Sequence, residues 1–225
     1  MILLSRRAFA ETLGSMLLFA CVIGSGIMAE RLAGGNVAVA LLGNTLATAA
    51  MLLMLVSVLG PVSGAHLNPA VTLVAVLRGD LLRRDGIVYV AAQLGGGLLG
   101  VLLAHAMFDL PLWQWGVKVR TGPGQWLSEG VATFALIIAI LGGVRHRPGW
   151  VPAIVAAVIT AGYWFTASTS FANPAITLAR ALTGSFAGIR PVDAPGFIAA
   201  QLAGACLAAQ CARWLFDDDV QRIAA

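Results

Sequence analysis

The chain has 225 residues, of which 59% are hydrophobic and only 11% are charged, with a formal net charge of +4. A soluble domain carries about 25% charged residues, so this chain lacks the charge to cover a water-facing surface, and most of its surface is expected to face lipid. The small basic excess comes without a basic stripe interleaved with aromatics, which excludes a nucleic-acid surface and assigns it to loops at one membrane face. The 26 glycines fit the same picture, because small residues let membrane helices approach closely.

The N-terminal MILLSRRAFAET places Arg6 and Arg7 before a long apolar run with no convincing cleavage site. It reads as a first span and not as a removed signal peptide. Crossing about 30 Å of hydrocarbon takes roughly 20 residues. Six runs meet that length, at about 8–29, 36–60, 86–107, 126–144, 150–169 and 196–216. Two more, 68–78 and 173–183, are too short to cross, and each starts at Asn-Pro-Ala. They read as half-length, re-entrant helices. The expected fold is an all-α membrane protein with six transmembrane helices and two re-entrant half-helices.

The joints between spans hold most of the charge. With six alternating spans, Arg6, Arg7, Arg78, Arg83, Arg84, Arg145, Arg147, Arg213 and Arg222 fall on one side. Arg31, Lys118, Arg120, Arg180 and Arg190 fall on the other. The basic excess on the side of both termini predicts that they are cytoplasmic.

The chain also repeats itself. Span one carries Glu11 in AETLG, and span four carries Glu129 in SEGVATF. HLNPAVTL at 66–73 is matched by FANPAITL at 171–178, and AAQLGGG with Gln93 by AAQLAGA with Gln201. The order Glu, Asn-Pro-Ala, Gln thus occurs twice, in halves of about 1–110 and 120–225. Three spans per half forces the second half to insert upside down. Short interrupted segments at matching places in an inverted repeat point to a permeation or binding site near the bilayer midplane.

Asn68-Pro69-Ala70 and Asn173-Pro174-Ala175 each read as a helix start. Asn is a good N-cap, and Pro suits the first turn, where its missing N–H has no intrahelical partner. If the half-helices come from opposite faces, their N-termini meet, with small Ala beside each Pro. Each end carries the equivalent of about +0.5 charge, which opposes cations. The preceding backbone, Gly64, Ala65, His66 and Leu67 in one half and Ser170, Phe171 and Ala172 in the other, is non-helical. At that depth it is tolerated only beside water or buried in protein. Its carbonyls and the Asn amides would line a lumen suited to a neutral polar solute.

These residues, from SGAHLNPAVTL at 63–73 through the second Asn-Pro-Ala and the paired Glu and Gln segments, resemble the aquaporin or major intrinsic protein family over essentially the whole chain. The resemblance implies a single transmembrane channel domain over residues 1–225, passive and not enzymatic. It would pass water or small neutral solutes, use no cofactor or metal, and assemble as a homotetramer in the lipid bilayer of a bacterial inner membrane. In most of the family an arginine follows the second Asn-Pro-Ala; here the residue is Ile176. Carried over by spacing, the remaining filter positions are Thr48, Ala161 (or Gly162, one residue on) and Ser170. This set has no aromatic, histidine or arginine. It implies a wide, uncharged filter passing polyols or neutral metalloid hydroxides such as arsenite, with a water-selective pore as the alternative. Arg180, one helical turn after Ile176, either places a cation in the outer vestibule or snorkels to the interface.

Glu11, Glu129, Gln93 and Gln201 are read as braces for the re-entrant loops, since donors at that depth need acceptors. A proton relay in a secondary active transporter is the competing reading. His66 is either a lumen-facing, pH-responsive group or a packed one. His105 and His146 have no partner at metal spacing, and Ser63 with His105 lacks a nucleophile turn. Cys21, Cys206 and Cys211 lie in apolar runs and suggest no disulfide framework. Trp113, Trp115, Trp126 and Trp150 read as interfacial belt residues, and Trp164 and Phe165 as deeper packing. Asp217, Asp218 and Asp219 read as a solvated tail.

Overall fold

A computed structural model describes residues 2–216; the acidic run Asp217, Asp218 and Asp219, with Arg222, lies outside the described residues. The helices are α1 Leu4–Leu32, α2 Val37–Ser63, α3 Pro69–Arg78, α4 Arg83–Met107, α5 Pro123–His146, α6 Val151–Phe165, α7 Pro174–Arg180 and α8 Ala194–Phe216. Among the described residues six helices are long and apolar enough to cross a membrane, counting the turns that lead into α6 and α8 with those helices. The short α3 and α7 start at the two Asn-Pro-Ala motifs.

Local chemistry sets the ends. Asn36 caps α2, its side-chain oxygen accepting from the Ala38 and Val39 N–H groups at 3.1 and 3.2 Å, as N-cap Asn does. Gly64 and Gly79 close α2 and α3 in the left-handed region, at φ 86° and 82°, where glycine carries no Cβ penalty. Pro lies in the first turn of α3, α5, α6 and α7, a position that needs no N–H. Two elements end earlier than expected. Span five ends at Phe165, because 166–170 already belong to the loop entering the second half-helix. The second half-helix stops at Arg180 and not near 183, where the chain turns back through residues 181–190.

The packing has an internal two-fold. Helix α1 packs on α4 and α2 as α5 packs on α8 and α6. Helix α3 packs on α4 and α8 as α7 packs on α8 and α4. The halves join through α2 against α6 and α3 against α7. Leu18, Phe19, Ile23, Leu136, Ile159, Phe171 and Ile176 belong to one buried apolar cluster between the helices. Outward faces carry Leu46, Leu53, Val58, Leu99, Val131 and Leu207 exposed, a surface suited to lipid and not to water. Trp113, Trp115, Trp126 and Trp150 are exposed. Trp164 and Phe165, expected to pack, are exposed as well. This corrects the reading of depth as burial, because the outward face of a membrane helix is apolar too.

Related crossings bring α1 to α4 and α5 to α8 at backbone contact. A Cβ on Gly96 would lie 2.2 Å from the Thr12 carbonyl oxygen, and one on Gly204 2.2 Å from that of Gly130. Any side chain there forces the helices apart. Gly204→Val is expected to destabilise the protein by about 1–3 kcal/mol through overpacking. Unfolding in mixed micelles would show it, and an unchanged midpoint would count against so close a crossing.

Candidate functional site: the junction of the two half-helices

Asn68 and Asn173 both adopt extended backbone, at φ −158° and −157°, so each side-chain oxygen folds back over its own helix. Asn68 Oδ1 accepts from the Ala70 N–H at 2.9 Å. Asn173 Oδ1 accepts from Ala175 at 2.9 Å and Ile176 at 3.3 Å. Each Nδ2 then donates across the two-fold. Asn68 Nδ2 reaches the Ala172 carbonyl, and Asn173 Nδ2 the Leu67 carbonyl, both at 2.8 Å. A carboxamide has two N–H donors, so each Asn retains one with no partner among the described residues.

The segments leading in are strained. Ala65 and Leu67 lie at φ 46° and 50°, and Thr169, Ser170 and Ala172 at 63°, 50° and 47°. Left-handed non-glycine residues of this kind cost about 1–3 kcal/mol each and persist only where surroundings over-determine them. Two carboxylates supply that determination. Glu11 accepts from the His66 N–H at 2.9 Å, the Leu67 N–H at 2.7 Å, Ser63 Oγ at 2.7 Å and Gln93 Nε2 at 2.8 Å. Glu129 accepts from the Phe171 and Ala172 N–H groups, both at 2.9 Å, and from Gln201 Nε2 at 2.6 Å. Gln93 and Gln201 also reach Thr72 and Thr177, both at 2.9 Å. Glu11, Glu129, Gln93 and Gln201 are fully buried, and none lines the cavity described next.

That cavity, of about 300 Å³, passes the junction. On the side of the N-terminus its wall reaches Asp80 and Val144, and on the opposite side Thr48, Tyr163 and Arg180. At the junction it is lined by Gly64, Ala65, His66, Leu67, Asn68, Ser170, Phe171, Ala172 and Asn173, with Ile176 just beyond. Pro69, Ala70, Pro174 and Ala175 are not part of its wall; they pack the junction. The arrangement offers acceptors from strained backbone and donors from two amides, set in apolar walls.

The sequence model for the major intrinsic protein family matches residues 2–147. The chain belongs to the major intrinsic protein family. It is similar to the aquaglyceroporin AqpS of Rhizobium meliloti strain 1021, with 58% identity over 212 residues, covering 94% of this chain and 91% of that one. It is 34% identical to the glycerol uptake facilitator protein of Bacillus subtilis strain 168, over 56% of this chain and 52% of that one. In fold it resembles the aquaglyceroporin of Plasmodium falciparum, with a TM-score of 0.72 over 92% of this chain and 95% of that one, at 20% identity. Members of this family are channels.

Within this major intrinsic protein the span-five position needs correcting. Ala161 is exposed on the outward face of α6 and does not line the cavity. Ile159 and Tyr163 do line it. At about 100° per residue, Ala161 falls on the far side of the helix from both. Gly162, the alternative, packs against the loop: a Cβ there would lie 2.5 Å from Ser170 Oγ. Tyr163 OH lies 3.3 Å from Thr48 Oγ1, so an aromatic stands beside Thr48 after all. The i, i+4 spacing of Ile159 and Tyr163 was the available signal.

His66 both lines the cavity and packs. Its Nδ1 lies 3.1 Å from Thr72 Oγ1, and its ring meets Tyr89 edge-on at 5.2 Å. His105 contacts the Leu112 carbonyl at 2.8 Å and Thr183 Oγ1 at 3.0 Å, while Ser63 serves Glu11. The three cysteines are free. The charge pattern along the chain marks Arg120 only as a loop cation. Arg120 donates from Nε to Gly188 and from Nη1 to Ser168, both at 3.0 Å, and its backbone N–H meets Asp193 at 2.9 Å. Asp193 is gripped by Arg190 through two 3.0 Å bonds. Removing a brace tests the loop. Glu129→Ala leaves the buried N–H groups of Phe171 and Ala172 without their acceptor, at about 1–3 kcal/mol each. Unfolding in mixed micelles should register several kcal/mol, well beyond the loss at an exposed site such as Glu30→Ala.

Proposed function

We propose that this major intrinsic protein is a passive channel for small uncharged solutes, passing polyols such as glycerol, neutral metalloid hydroxides such as arsenite, and water. The observation that carries the reading is the cavity through the Asn68–Asn173 junction with Ile176, and not an arginine, at the position after the second motif. Two carboxamide N–H donors and the carbonyls of the loops offer a neutral solute replacements for its hydration. The converging helix N-termini oppose cations, a role known for half-helix dipoles in aquaporin-type pores. The apolar Ile176 and the walls of Val22, Leu52, Val155 and Ile159 accommodate a carbon backbone better than a polar ring would. The named relatives, an aquaglyceroporin and a glycerol uptake facilitator, support the choice of solute class.

Under this reading the two halves, about 1–110 and 120–225, form one channel domain as inverted repeats. Asn68, Asn173, Gly64–Leu67, Phe171 and Ala172 line its pore, with Pro69, Ala70, Pro174 and Ala175 packing the junction and Thr48, Ser170, Ile176 and Tyr163 at the constriction. Glu11, Glu129, Gln93 and Gln201 hold the loops, in contrast to the relay residues of a coupled transporter. The chain sits in a bacterial inner membrane as a homotetramer with both termini cytoplasmic, an orientation supported by the basic excess at that end.

Stopped-flow light scattering of proteoliposomes tests the reading. The wild type is expected to pass glycerol and neutral arsenite as well as water. Ile176→Arg should cut glycerol flux by about tenfold, as a barrier raised by about 1.4 kcal/mol would. Water flux alone in the wild type, unaltered by the substitution, would mean a water-selective pore with its constriction elsewhere.

A further inference from the structure

Arg180 ends α7, four residues after Ile176. That is one turn, about 6 Å, further along the same helical face. A lipid-interface arginine would hold its head group in the exposed layer. Arg180 is instead 2% exposed, among the most deeply buried large side chains of the protein. It does line the cavity, on the same stretch as Thr48 and Tyr163.

Its surroundings hold the guanidinium without satisfying it. The group lies over the Phe171 ring at 3.4 Å, and Nε donates to the Ala187 carbonyl. Among the described residues nothing accepts from its two terminal nitrogens, and no carboxylate pairs with it. Glu129, in the same half, is occupied by the loop and Gln201. The neighbouring Arg120 makes the contrast. It stacks on the same ring at 5.0 Å but donates to Gly188 and Ser168, and it does not line the cavity. A buried charge without a counterion carries a desolvation penalty. Ionisable groups at membrane depth mark permeation paths by default.

Resting on the channel reading above, we infer that Arg180 is this pore's specificity-determining arginine, displaced one turn outward from Ile176, where its free N–H donors receive the hydroxyl oxygens of neutral solutes and its charge bars cations. A planar fork with spare donors suits a solute bearing several oxygens. The apolar Ile176 just inward then meets the solute's carbon face. The pore thus separates the two functions that one arginine would combine at the constriction.

The test compares wild type, Arg180→Gln and Arg180→Lys in proteoliposomes, reading water, glycerol and methylammonium. Arg180→Gln should lower the glycerol-to-water flux ratio by about tenfold, the loss of one charge-assisted hydrogen bond of about 1.4 kcal/mol, and should admit methylammonium. Arg180→Lys should keep methylammonium out but lower the same ratio, because an ammonium cannot reproduce the fork. If Arg180→Gln fails to assemble, the Arg180→Lys ratio decides: a fall supports the assignment, and a wild-type ratio overturns it. Wild-type vesicles that pass glycerol, with both measures unmoved in Arg180→Gln, overturn the arginine's role and leave the channel standing. Wild-type vesicles no faster than protein-free ones overturn the channel reading itself, and this inference with it.

Discussion

The structure depends on how two stretches of non-helical backbone survive at membrane depth. Lipid offers no hydrogen bonds, so every polar group of 64–67 and 169–172 must find a partner in protein or face a water-filled space. Glu11 and Glu129 answer for the N–H groups, two from each loop. The left-handed residues let two N–H groups of each loop face one carboxylate, in segments that also line the cavity. The strain at Ala65, Leu67, Ser170 and Ala172 and the lining of the cavity are therefore one feature.

The reciprocal Asn bonds follow from the same constraint. Each half-helix N-terminus has N–H groups without intrahelical partners, and each loop has a carbonyl to spare at its last residue. Asn68 and Asn173 serve both with one side chain, capping their own helix and crossing to Ala172 and Leu67. Aspartate would cap but could not donate, and a hydroxyl would not reach both. The crossing bonds tie the halves together where the helices are shortest, and they orient the remaining amide donors. Stability and permeation draw on the same atoms, so changes at the junction will affect both.

Away from the junction the two halves diverge. The first half adds Ser63 and Tyr89, the Tyr hydroxyl donating to the Ser63 carbonyl at 2.8 Å. The second adds Arg120 and Arg180, which share the Phe171 ring. These two buried arginines lie on the side away from the N-terminus, while Asp80 stands at the other end of the cavity. Thr48 and Tyr163, Ile176 and Arg180 make that end amphipathic. Under the proposed reading this asymmetric end adds to the junction's selectivity on a nearly symmetric frame.

Much of the fold was legible because it rests on composition and chain-local chemistry. Apolar run length gives the six spans, Asn-Pro gives the two helix starts, and the doubled order of Glu, Asn-Pro-Ala and Gln gives the two-fold. Such signals survive in sequence because lipid and peptide geometry act on each segment by itself. What they could not reach was decided by rotation and packing. Ala161 and Tyr163 are two residues apart, yet only the angle at which α6 meets α2 turns the tyrosine inward. Trp164 and Phe165 face outward, a distinction that hydropathy cannot make when both faces are apolar. Arg120 and Arg180, sixty residues apart in the chain, become neighbours only when the loop before α5 folds over the second half-helix. Sequence alone therefore determined which segments cross, where the helices start and that they repeat. The tertiary structure alone decided which side chains face the cavity, because that depends on how the helices pack against one another.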